Sequence, residues 1–118
     1  MQPEFYIPDG ADPSTAKQRC THLGIGAHPD DLEFMAYHGI SHGYEQAQPS
    51  FGGIICTDGA GCSRAGKYSD CSDEEMIRLR AEEQRAAARI GRYTFVQQLG
   101  LQSATVKDRA TRDQLTDT

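Results

Sequence analysis

The chain has 118 residues, 37% of them apolar, and a formal charge of −5. That is one domain at most, with a modest core, and its acidic balance argues against a general nucleic-acid surface. No apolar run approaches membrane-spanning length, and the first twenty residues lack the basic start and apolar stretch of a signal peptide. Cys20, Cys56, Cys62 and Cys71 therefore read as reduced thiols of a cytoplasmic protein, and without any CxxC spacing a cysteine zinc knuckle is disfavoured.

Residues 1–20 are rich in Pro, Asp, Gly and Ser and read as an irregular N-terminal arm. HLGIGA, residues 22–27, is short, apolar and glycine-punctuated, as a buried strand would be. A first helix is expected from Asp31 to His42, and Gly43 to Pro49 as a connection. SFGGIICTDG forms a second strand ending in a glycine-rich turn. GAGCSRAGKYSDC then has no periodicity and reads as a long loop, often a functional feature in a compact domain. Ser72 and Glu75 make a capping box for a helix running to Ile90, with Gly91 past its end and an apolar stripe of Met76, Leu79, Ala86, Ala87 and Ile90. YTFVQQLGL reads as a third strand and turn. The polar tail that follows could open another helix in its last residues. The order βαβαβ implies an α/β, Rossmann-like fold: a mainly parallel sheet with flanking helices. In such sheets HPDD and TDGAG, which follow successive strands, reach the same end.

GAHPDDLE, Gly26 to Glu33, places a histidine and two adjacent aspartates directly after a strand. Neighbouring carboxylates repel, so a bound cation is one reason to keep them. At a helix start Asp30 and Asp31 diverge by about 100° and cannot address one point in the same way. One can hold a cation beside His28 while the other handles a proton, which suits metal-assisted hydrolysis. The plainer alternative is a helix N-terminus in which Asp30 caps and His28 bonds backbone. Arg80 and Glu83, three apart on the later helix, are either a surface salt bridge or two charges facing a wet cavity. GIG resembles the start of a dinucleotide fingerprint, but Pro29 stands where a third glycine belongs and carboxylates follow where pyrophosphate would sit. His38 and His42 are four apart, but His38 lies about 10 Å along the axis from Asp31. They read as surface or packing histidines.

GAHPDDLE after an apolar strand resembles the AHPDD(x)E signature of the LmbE-like, PIG-L zinc deacetylase family. CTDGAG, Cys56 to Gly61, is similar to that family's T-x-G turn, and RAEEQRAAARIG, Arg80 to Gly91, to its R-x-x-E helix. The resemblance implies a zinc-dependent hydrolase that removes an N-acetyl group from an amino-sugar conjugate. It matches His28 and Asp31 to zinc ligands and Asp30 to the general base. Glu33 matches the acidic residue closing the signature and is expected to bond local backbone. Arg80 is expected on the substrate side, with Glu83 as companion. Arg64, Lys67 and Tyr68 of the long loop offer a contact surface. The implied partner is a small N-acetylated molecule, with no nucleic acid and no membrane span; a homo-oligomer stays open. In the family a later histidine motif supplies the third zinc ligand and a carbonyl-polarising histidine, whereas here no histidine follows His42. Residues 21–118 are accordingly expected to be the N-terminal part of a LmbE-like domain, inactive by itself. Competing expectations are a metal- or carbohydrate-binding fragment without catalysis and a Rossmann-like nucleotide-binding module.

Overall fold

The computed structural model describes residues 2–102. In chain order its elements are β1 (Glu4–Tyr6), α1 (Pro13–Gln18), β2 (His22–Gly26), α2 (Asp31–Met35), α3 (Tyr37–Glu45), β3 (Phe51–Thr57), α4 (Asp73–Ile90) and β4 (Phe95–Leu101). The strands form one sheet in the order β1-β4-β3-β2. β2, β3 and β4 are parallel, and β1 adds antiparallel to β4. This is the expected Rossmann-like α/β arrangement.

The apolar alternation of β3 decides where the core lies. Phe51 and Ile55 are buried on the face covered by α2, α3 and α4, where Leu32, Ile40, Ala88, Tyr93 and Val96 join them. Burying each of the larger side chains contributes about 1.5–3 kcal/mol. Glycine lets the layers close up: a Cβ on Gly53 would lie 2.5 Å from Leu32 Cδ1. Tyr93 meets Phe51 edge-on, with ring centroids 4.9 Å apart. The opposite face is only partly covered. Leu23 and Ile25 on β2 remain 51% and 62% exposed, and β2 is an edge strand. Among the described residues no helix is long and apolar enough to cross a membrane.

Three expectations need correction. The segment 1–20 is not an irregular arm: it carries β1 and α1. Phe5 stacks on Phe95, and Arg85 holds Glu4 at 2.9 Å. Asp12 caps α1 by accepting from the Thr15 amide, with Pro13 in the first turn. The expected first helix is two, broken at Ala36 (φ −113°, ψ 23°). Beyond the break α3 sits close on Phe51, whose ring would be 3.1 Å from a Cβ on Gly39. The stripe of α4 is also rotated. Met76, Ala81, Gln84 and Ala88 are the buried positions, whereas Leu79 and Ile90 are exposed. Gln84, outside the expected stripe, is one of the buried positions, and the site explains it. Ser72 caps α4 as expected: its Oγ accepts from the Glu75 amide at 3.2 Å, and the Glu75 carboxylate accepts from the Ser72 hydroxyl. The tail expected to open another helix lies outside the described residues.

Candidate metal and acid–base site

The loop after β2 is fixed by backbone first. The Thr57 amide and hydroxyl both donate to the Ala27 carbonyl, at 2.9 and 2.8 Å. A Cβ on Gly26 would lie 2.9 Å from Asp31 Cβ, so glycine is what allows α2 to start this close to the strand. Asp30 then adopts φ 74°, the left-handed region, which Asp tolerates better than most residues but at some cost. Its amide is held by donating to Gln84 Oε1 at 3.1 Å. The TDG turn after β3 arrives at the same place: a Cβ on Gly59 (φ 85°) would be 3.0 Å from Arg80 and 3.2 Å from Pro29.

This backbone sends the two aspartates in different directions. Asp31 Oδ2 accepts from the His28 amide at 2.9 Å and stands 3.6 Å from His28 Nδ1. Asp30 Oδ2 instead meets Arg80 Nη2 at 2.6 Å. Arg80 Nη1 continues to Glu83 at 3.1 Å, and Glu83 also accepts from the Tyr68 hydroxyl. Only 15% of the Arg80 side chain is exposed. Its burial works against the charge, but the Asp30 carboxylate and the neighbouring Cys62 and Tyr68 outweigh it and raise its pKa. Burial likewise pushes the Glu83 carboxyl up, while Tyr68 and Arg80 pull harder and hold it below the usual range. Arg80–Glu83 is thus the middle of a relay of charges ending on Asp30, not an isolated surface pair.

Glu33 was expected to bond local backbone. Its carboxylate instead turns under α2 and accepts from Gln84 Nε2 at 3.3 Å and from the Tyr93 hydroxyl. Burial, and then Glu33 itself, push the Tyr93 hydroxyl's pKa up. Gln84 therefore bridges the Asp30 backbone and Glu33, a role that the sequence reading missed. Its spacing, four residues after Arg80 and eight after Met76, was the available signal. The long loop folds back on α4. Arg64 pins it through the Cys62 carbonyl at 2.8 Å and Asp73 at 2.6 Å, while Lys67 approaches Glu83 at 3.7 Å. His38 is exposed, and His42 packs against His22.

The residues fit a metal in part. Two donors at about 2.0–2.1 Å from a tetrahedral ion lie roughly 3.3 Å apart, close to the His28–Asp31 separation, and the mixed N/O pair suits zinc. Among the described residues no group of three His, Cys, Asp or Glu is placed to hold an ion. The four cysteines are free.

A family model described as PIG-L, GlcNAc-PI de-N-acetylase, matches residues 23–118. That is most of the chain, and the chain belongs to this family. No curated protein and no solved structure matches it.

Proposed function

From that membership we infer a hydrolase that cleaves the acetamide C–N bond of an N-acetylated amino-sugar conjugate. The observation that supports it best is the divergence of two adjacent aspartates at the carboxyl end of a parallel strand, Asp31 toward His28 and Asp30 toward Arg80. In this reading His28 and Asp31 hold a zinc ion, which when bound supplies Lewis acidity. Asp30 Oδ2 or Oδ1 takes a proton from the attacking water. The water oxygen bonds to the acetamide carbon, the C–N bond breaks, and Asp30 returns the proton to the leaving nitrogen. The products are acetate and a free amine. Arg80, expected on the substrate side, acts here mainly as a positioning residue. It keeps Asp30 oriented through the 2.6 Å contact, and Glu83 and Tyr68 keep Arg80 in place. Gln84 holds the backbone turn that aims Asp30.

The second reading is a metal- or carbohydrate-binding fragment without turnover. What favours it is that two protein donors leave an ion half-held by water, with no third donor placed among the described residues. Acetate release from an N-acetylglucosaminyl conjugate, assayed after chelation and again after zinc is restored, separates the two. Zinc-dependent release lost in Asp30→Asn supports the hydrolase. Zinc or sugar binding with release no faster than zinc alone supports the fragment.

A further inference from the structure

At the other end of the sheet, where β2 and β3 begin, lies a cavity of about 290 Å³. Ser50, just before β3, lines it and is 6% exposed. Its hydroxyl is buried without a hydrogen-bond partner among the described residues. A buried polar group left unsatisfied costs about 1–3 kcal/mol, and native structures seldom leave one without a reason. Helix α3 packs close beside it through glycine: a Cβ on Gly43 would lie 3.0 Å from Phe51 Cβ and 3.3 Å from the Ser50 hydroxyl.

The rest of the lining says what could fill that space. Arg19, Thr21, His22 and His42 border it, and among the described residues no aspartate or glutamate does, in a chain with net charge −5. The Arg19 guanidinium is fixed, with Nε on Thr94 at 2.7 Å and Nη2 against Asp9 at 2.8 Å. The rings of His22 and His42 stand 4.9 Å apart and tilted by 59°. Thr21 Oγ1 lies 3.0 Å from His22 Nδ1, which leaves Nε2 free of that contact. The lining itself presents hydroxyl, imidazole and guanidinium groups, a donor set; Asp9, which is not part of the lining, is the carboxylate that meets Arg19. A cation would face Arg19, and an apolar group would leave the Ser50 hydroxyl unsatisfied. The volume is at the lower end of the range for ligand sites.

We propose that this cavity binds a tetrahedral oxyanion of the phosphate class, free or as the phosphomonoester of a small molecule, through Ser50, His22, His42 and Arg19. The site is separate from the HPDD loop and makes no use of it.

The test is equilibrium dialysis of chelator-treated protein against inorganic phosphate and, separately, glycerol phosphate, at ionic strength held constant with chloride. One-to-one saturable binding is expected. Ser50→Ala should weaken it about tenfold or more, as loss of a hydrogen bond to a charged group does. His42→Gln, at an exposed position, should weaken it as well, and Asp30→Asn should leave it unchanged. Tighter binding of the monoester would assign the site to a phosphorylated small molecule, and equal binding to free phosphate. Absence of saturable binding to either would overturn the proposal. So would binding that survives both Ser50→Ala and His42→Gln, or binding lost in Asp30→Asn, which would place the anion at the HPDD loop.

Discussion

On one side of the Gly26–Glu33 loop, His28 and Asp31 stand 3.6 Å apart, with about half of the imidazole open to solvent. On the other, Asp30 is drawn to within 2.6 Å of a nearly buried arginine, and that arginine is itself tied to Glu83. The two carboxylates are neighbours in sequence but not in circumstance. The His28–Asp31 side offers donors that an incoming ion can still take up. The Asp30 side is braced by side chains from α4 and the long loop. Because Asp30 is left-handed while Asp31 begins a helix, the backbone itself separates the two roles.

The largest effect that could break this comparison is loss of the open side. His28→Ala or Asp31→Ala should reduce bound zinc to background and acetate release with it, because removing either ligand leaves a site with too few donors. Metal analysis of the purified variants checks this, and full occupancy in either would remove that residue from the ligand set. On the braced side, Asp30→Asn should keep zinc and lower deacetylation by about 10²–10⁴-fold, the usual range for a general base. Arg80→Ala should come next, lowering kcat by roughly tenfold or more with metal content unchanged, since it disturbs the base without removing it. A rise in KM with kcat intact would instead make Arg80 a substrate contact.

Much of the site was legible because its signals are local. The Ser72–Glu75 capping box, the glycines at strand ends and the order of HPDD and TDGAG each follow from a few adjacent residues. What escaped depends on contacts across the fold. Gln84 is one more polar residue of α4 in the sequence, and its role exists only because the Asp30 amide and Glu33 meet on it. Glu33 was read as a local backbone partner because sequence cannot show that Tyr93, sixty residues later, lies beneath it. The N-terminal arm was misread for a related reason. A three-residue strand carries almost no periodicity, and β1 exists because β4 offers an edge and Phe95 a ring to stack on.

Smaller effects sharpen the picture. Gln84→Ala should cost about 2–3 kcal/mol by leaving the Asp30 amide without its partner and Glu33 short of one. Chemical denaturation would show it, and a neutral result would mean that water replaces the glutamine. The weakest predicted effect concerns acid. Glu83 has a folded-state pKa below its ordinary 4.5. Its contribution to stability is therefore fully present above about pH 4.5 and is lost as pH falls through the lower folded value. Glu83→Gln should flatten the acid limb of the stability curve below pH 4.5 and leave its slope near neutrality unchanged. An acid limb identical to that of the parent protein would show that the Arg80 relay adds nothing to folding.

The division of labour between Asp30 and Asp31 is tested most directly by titrating zinc into Asp30→Asn and Asp31→Asn side by side with the parent protein. The account predicts parent-like affinity in Asp30→Asn and affinity at least tenfold weaker in Asp31→Asn. Parent-like affinity in Asp31→Asn together with weakened binding in Asp30→Asn would contradict it, because Asp30 would then be the ligand and the two aspartates would exchange roles.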